Sequence, residues 1–251
     1  MNEDWNQNGY GDVDASWGNM ETPYVSQYTP EMLQGWQGRA AVRSFLVVFL
    51  GLIVTTIASY LTIFNESVLR VVFSDGMFQF LLIAEIVVVL VNSWAIKKDN
   101  LILSGVLFFA YTVINGVTMS AVFLAYEMGS VMEAFLMAGI VFGVMAAYGY
   151  FTKKDLTKIG SICTMALLGV ILVSLVNMFL LHSSGLDLIM DYVVVLLFVG
   201  ITAYDMYKMK QMVAVGGETE INRIALYTGM ELYLDFINLF LRLIRIMGKK
   251  R

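Results

Sequence analysis

The chain is predicted to be an all-α integral membrane protein with seven transmembrane helices, the seventh central, preceded by a disordered acidic tail. Three observations predict this. Hydrophobic residues make up 59% of its 251 positions and charged residues 14%, with a mean hydropathy of +0.73, which lies outside the range of ordinary soluble domains. From Arg39 onward the apolar residues fall into seven runs, each near the roughly 20 residues a helix needs to cross a bilayer. The last run carries its polar residues on one stripe, and lipid does not tolerate such a stripe.

Residues 1–38 hold six acidic residues and no basic one, with Asn, Gln, Gly and Tyr making up much of the rest. Without apolar periodicity such a segment buries too little to offset its ordering entropy, so disorder is expected. It lacks a basic start followed by an apolar core and does not read as a signal peptide. The expected division is therefore a tail over 1–38 and a membrane domain over 39–251. The tail either docks a partner or is merely solvated.

The runs lie near 44–63, 77–96, 101–124, 131–151, 161–181, 189–207 and 224–246. Unpaired backbone polar groups are too costly in hydrocarbon, and the runs are too long for barrel strands, so each reads as a helix. Arg39, Arg43, Lys97, Lys98, Lys153, Lys154, Lys158, Lys208, Lys210 and Arg223 collect on the side of the amino terminus, while the opposite loops carry Glu66, Asp75, Glu127, Glu133, Asp187 and Asp191 against Arg70. The positive-inside tendency then makes the amino terminus cytoplasmic, in the inner membrane if the cell is bacterial. The terminal "GKKR" opposes that tendency if the seventh run crosses; either it crosses anyway, which is the expectation, or it is a re-entrant hairpin. Gly139 and Gly143, four apart in "GIVFG", read as a tight helix contact.

Seventeen methionines point to adaptable packing rather than a copper path, since no Met-x-x-Met cluster or Cys/His partner accompanies them. Cys163 lies inside an apolar run and reads as packing. His182 closes another run and reads as interfacial. No cofactor is implied, and nothing in the pattern calls for a nucleic-acid partner.

The residues that carry chemistry are intramembrane acids. In the seventh run Glu231, Asp235, Asn238, Arg242 and Arg245 stand at offsets of 4, 7, 11 and 14, one helical face that must point at protein or water. In the sixth, Asp191, Thr202 and Asp205 share a face at offsets of 11 and 14. Glu85 stands midway along the second run, either as an ion site or as a neutral hydrogen-bonding acid. Two carboxylates within reach of one another in a poorly solvated site cannot both ionise cheaply, so they share a proton and titrate as a unit. When ionised, the same pair is a hard-oxygen site attractive to Ca²⁺. Asp205 and Asp235 are thus candidates for a pH-sensing pair and a calcium site, with Glu85, Glu127, Glu133, Asp187 and Asp191 as a candidate ion path. The competing reading is that acids and arginines neutralise each other and only fix the packing.

At these residues the sequence resembles a known family. "FVGITAYDMYKMK" and "LYLDFINLFLRLIRIMG" are similar to the sixth- and seventh-helix signatures of the Bax inhibitor-1 family, also called transmembrane Bax inhibitor motif proteins, with its YccA-like and YetJ-like bacterial members. "AAYGYFTKKDLTKIG" and "NGVTMSAVFLAY" resemble the family's loop after helix four and its third helix. The resemblance covers about residues 40–248. It implies seven helices with the seventh central, and a pH-sensitive calcium leak gated by an aspartate pair, which here is Asp205 and Asp235. Glu231 departs from the family, which more often has a small polar residue there, and the loop over 208–223 reads as longer than usual. The basic residue near the inner end of helix two, a candidate lock on the pair, has only Lys97 and Lys98 as counterparts.

Two other classes compete. YccA-like relatives imply a non-transporting regulator that binds a membrane quality-control protease or another membrane protein. An intramembrane aspartyl protease also places Tyr-Asp on helix six, as in "TAYD", but its second motif reads Gly-x-Gly-Asp, whereas here it is "LYLD", and both prolines lie in the tail. A retinal protein needs a lysine in the last helix, and 224–246 has none. The expected molecule is therefore not an enzyme; its partners are lipid, calcium as the permeant ion, and on the second reading a membrane protein.

Overall fold

The computed structural model describes residues 28–74, 76–97 and 100–251. Most of the acidic tail, Asp75 and Lys98 lie outside the described residues. Among the described residues eight α-helices follow in order: α1 (Pro30–Phe64), α2 (Glu66–Val72), α3 (Met77–Lys97), α4 (Leu101–Ala125), α5 (Met128–Phe151), α6 (Thr157–Val176), α7 (Ser184–Gly216) and α8 (Ile221–Met247). Six of them are individually long and apolar enough to cross a membrane; α2 and α3, meeting at a 78° bend, make a broken seventh span.

Where the helices begin and end corrects several sequence readings, for local reasons. Residues 30–38 are the first turns of α1, not tail: Thr29 accepts from the Met32 N–H, Pro30 occupies the first turn and Glu31 follows, a strong helix start in which proline's fixed φ and missing N–H cost nothing. α6 starts at Thr157 rather than 161, and its expected last turn is a π-helix over Asn177–Leu181. The Asn177 side chain closes that turn by donating to the Ser183 carbonyl (3.0 Å) and accepting from the Ser183 N–H (3.0 Å). α7 runs on to Gly216, so most of the expected 208–223 loop is helix and the connection shrinks to Gly217 and the 3₁₀ turn Glu218–Glu220. Gly217 has φ +67°, a left-handed conformation that favours glycine.

α8 is the axis of the bundle. Of its apolar window 67% is buried, against 39% for α4 and 6% for α6. It packs on α1, α5 and α7 and touches α4, while α3 lies against α4 and α6 against α7. Tyr233, fully buried on α8, meets Phe108 and Tyr111 of α4 edge-on at 5.5 and 5.9 Å. Phe236 meets Phe135 and Phe142 of α5 at 5.2 and 5.7 Å. Lipid tails are as apolar as these side chains, so the gain comes from dispersion and ring geometry rather than from expulsion of water.

The chain runs unbroken through α8 and its end turns back on the α4–α5 connection. The Glu127 N–H donates to the Lys249 carbonyl (3.0 Å), the Arg251 N–H to the Ala125 carbonyl (3.0 Å), and the Lys249 N–H to Ser130 Oγ (3.1 Å). α8 therefore ends on the side opposite to the start of α1, which is where a complete crossing takes it.

The expected Gly139–Gly143 contact is not formed, because a Cβ at either position meets nothing within 4 Å. The buried face of α5 is instead Ala134, Ala138, Phe142, Ala146 and Gly149, and Gly149 lies directly on the Ala203 backbone of α7. Cys163 of α6 faces Gly200 of α7, a packing role.

Candidate functional site: the polar seam between α7 and α8

α7 and α8 run antiparallel, so the polar stripe of α8 meets α7 in reverse order. Nearest the amino-terminal side, Lys208 Nζ lies 2.8 Å from Glu231 Oε1, donates to the Tyr227 hydroxyl at 2.9 Å, and stands 4.6 Å from the centre of that ring. One turn further along α8, Asp235 Oδ2 accepts from Thr202 Oγ1 of α7 at 3.0 Å. Asp205 lies beside them, and its electrostatic neighbours are Glu231, Asp235 and Lys208. Both aspartates are buried, Asp205 at 6% exposure and Asp235 at 3%.

The hydrophobic run over 189–207 puts Asp205 near the inner end of its span. Instead α7 continues for eleven residues beyond it, about 16 Å at 1.5 Å per residue, and Asp235 lies fourteen residues, about 21 Å, into α8. The long ends of both helices bring the two carboxylates to similar depth.

Toward the opposite side the carboxylate of the seam is fully engaged. Asp191 Oδ1 accepts from Arg242 Nη1 at 2.7 Å, and Oδ2 lies 3.2 Å from Arg245 Nε. The Asp191 side chain is 4% exposed. Two guanidinium groups on one buried carboxylate satisfy both oxygens, as a buried charge requires. Asn238, the remaining stripe residue, donates to its own helix at Leu234 O (2.8 Å).

The residues of the candidate ion path each have their own surroundings. Asp191 is held by the arginines, and Asp187 accepts from Asn177 Nδ2 at 2.7 Å in the α6–α7 turn. Glu127 and Glu133 face outward. Glu85, half-buried on α3, accepts from Thr118 Oγ1 at 2.6 Å. Thr118 shares α4 with Asn115, whose Oδ1 accepts from the Tyr233 hydroxyl (3.0 Å), and Tyr233 is 2.5 Å from Thr55 Oγ1 of α1. A second polar network thus crosses the middle of the bundle from α3 to α1 by way of α8.

Among the described residues no group of three or more His, Cys, Asp or Glu is arranged to hold a metal ion. Asp205 and Asp235 alone offer Ca²⁺ two carboxylates, short of the six to eight oxygens it takes. Sequence reasoning missed Lys208, Tyr227, Tyr233 and Asn115. Two signals pointed to the first pair: Lys208 follows Asp205 by three residues and Tyr227 precedes Glu231 by four, one helical turn in each case. Hydropathy ends the sixth run at 207, whereas α7 continues past Lys208 to Gly216.

Outside the spans, Asp155 in the α5–α6 turn accepts from the Thr157 N–H at 2.8 Å. The hydrogen bonds from Thr157 hold its carboxyl below the usual value of 3.8.

The comparisons with known proteins agree with this architecture. The sequence profile of the family described as "Inhibitor of apoptosis-promoting Bax1" matches residues 40–251. An uncharacterised protein of Borreliella burgdorferi is 38% identical over 210 residues, covering 82% of this chain and 90% of the relative. The inner membrane protein YbhL of Escherichia coli is 35% identical over 224 residues, 86% of this chain and 95% of its own. An uncharacterised membrane protein of Streptococcus pyogenes is 31% identical over 208 residues, 82% and 90% of the two chains. The match begins at α1, takes in every transmembrane helix and runs through the α7–α8 seam: this multi-pass membrane protein belongs to the Bax inhibitor-1 family.

Proposed function

We propose that the protein is a pH-sensitive cation leak channel of the Bax inhibitor-1 type, with calcium as the permeant ion and Asp205 and Asp235 as the gating pair. One observation carries this reading: the amino-terminal half of the α7–α8 seam holds three carboxylates, Asp205, Glu231 and Asp235, against the single cation Lys208. Uncompensated acids at that depth oppose stability and insertion, so their presence calls for a functional account. The amino-terminal side is taken as cytoplasmic, supported by Arg39, Arg43, Lys153, Lys154 and Lys158 near it and by the positive-inside tendency.

The mechanism follows from proton sharing. A state that holds Asp205 and Asp235 together is stabilised while one proton is bound between them and loses that support as both ionise. A difference of one pKa unit between two states is worth about 1.4 kcal/mol, a tenfold change in their ratio. Calcium efflux from proteoliposomes of the purified chain, followed across pH, tests the reading. Asp205→Asn and Asp235→Asn should each flatten the pH dependence, and the double variant should differ little from either, because residues acting as one unit are not additive. Wild-type profiles in both well-folded single variants sink it.

A non-transporting regulator of a membrane partner is the second reading. It is favoured by the opposite end of the seam, where Asp191, Arg242 and Arg245 fill the space between α7 and α8 and the chain terminus is strapped to the α4–α5 turn. No flux at any pH, from protein that folds and inserts, selects it.

A further inference from the structure

We propose that the Lys208–Glu231 ion pair is a positioning device that sets the pH at which Asp205 and Asp235 exchange their proton. The proposal rests on the proton-sharing pair described above and adds the groups that tune it. The geometry places the two charges one turn from the aspartates on each helix: Lys208 follows Asp205 on α7, and Glu231 precedes Asp235 on α8. Their contact at 2.8 Å joins the two helices there, with side chains 27% and 21% exposed.

Lys208 is held where it is. Two of its three ammonium donors are directed to Glu231 and to the Tyr227 hydroxyl, and the Tyr227 ring lies against the cation, a contact that strengthens on desolvation. Glu231 shares the Lys208 ammonium with the Tyr227 hydroxyl, so one cation serves the whole anionic end of the seam. The Glu231 charge acts on both Asp205 and Asp235.

The groups facing the pair come from the same two helices. α7 supplies Thr202, which donates to Asp235, together with Lys208 and with Tyr204, which feels the Asp205 charge while its ring packs on Gly160 of α6; α8 supplies Glu231 and Tyr227. Among the described residues, α1, α4, α5 and α6 add no charged group to the electrostatic neighbours of either aspartate. Asp155, in the α5–α6 turn, acts on Tyr204 and Tyr207 rather than on the pair. Lys208 favours the ionised pair and Glu231 opposes it, and each also restrains the other. Removing one therefore does more than delete a charge: it releases its partner toward the aspartates.

This yields two shifts of opposite sign. Glu231→Gln removes a repelling charge and frees Lys208, so the pair ionises more readily and its protonation midpoint falls by about one pH unit. Lys208→Met removes the attracting cation and leaves Glu231 uncompensated, so the midpoint rises by a similar amount. The exchanged double variant, Lys208→Glu with Glu231→Lys, retains both charges one turn from the pair and should return the midpoint close to wild type.

The readout is the infrared carboxylic-acid carbonyl band of the purified full chain, titrated with pH and assigned by subtracting Asp205→Asn and Asp235→Asn. It reports proton occupancy whether or not the protein conducts. Opposite shifts in the two single variants support the proposal. Midpoints that stay put, or that move the same way, overturn it, because a purely structural ion pair has no reason to give shifts of opposite sign. If Lys208→Met does not fold, the exchanged variant decides: a midpoint displaced by more than about one unit counts against the assignment. The proposed function fails separately, through calcium flux that ignores the two aspartate substitutions.

Discussion

The two ends of the α7–α8 seam pose the same problem, acids buried between the same two helices, and solve it in opposite ways. At one end Asp191 has two arginines and both oxygens engaged. At the other, three carboxylates share one lysine. Each end departs from neutrality by its own formal count, cationic near Asp191 and anionic near Asp205. A closed carboxylate holds helices together and resists change, whereas a surplus of acids in poorly solvated surroundings responds to protons and cations. The structural charge and the responsive charge thus lie about fourteen residues apart on one face of one helix.

The largest expected effect breaks the closed end. Asp191→Ala leaves Arg242 and Arg245 without their carboxylate and should cost about 3 kcal/mol, the lower part of the range for breaking a buried pair because both arginines keep some solvent access. The thermal transition in detergent measures it. Asp205→Asn removes a charge from a surplus instead, and should leave that transition unchanged or raise it. A loss as large as that of Asp191→Ala would erase the distinction between the two ends.

Next in size is the seam that holds the open end in place. A Cβ on Gly149 runs into the Ala203 backbone, two residues before Asp205, so Gly149→Ala should cost about 1–3 kcal/mol as overpacking against an immobile neighbour. Gly139→Ala, ten residues earlier on α5 with open space around it, should fall within about 0.5 kcal/mol of wild type. Equal effects at the two glycines would contradict the assignment of the buried face.

The smallest effect lies outside the seam, at Asp155. Its hydrogen bonds from Thr157 lower its folded pKa beneath 3.8, so its contribution to stability is fully present above that value and is lost as pH falls through the folded one. The stability difference between wild type and Asp155→Ala should be constant from neutral pH down to about 4 and shrink below it. A difference that instead changes near neutrality points to another group.

Much of the fold was legible because membrane helices are specified locally. Hydrocarbon forces each span to satisfy its own backbone, so a run of about twenty apolar residues is read without knowing its neighbours. The stripe from Glu231 to Arg245 likewise announced that α8 must be enclosed, and its burial agrees. Helix ends were less legible: positions 30–38 and 208–216 are helical yet polar enough to resemble tail and loop, since beyond the bilayer length alone no longer marks a helix.

The sequence by itself determined which residues form spans and that acids lie on the facing stripes of α7 and α8, because periodicity and hydropathy are properties of each segment alone. Only the tertiary structure decided that Asp191 is neutralised while Asp205 is not. On the sequence the two share one face of one helix; their difference comes from the antiparallel register of α8, which brings Arg242 and Arg245 to the first and Glu231 and Asp235 to the second. The same holds for the glycines, since a helix shows its small residues on every face and only the position of its neighbours selects Gly149 over Gly139 and Gly143. Partner choice depends on how two helices slide and rotate against each other, and that is fixed by the whole interface rather than by either strip of sequence.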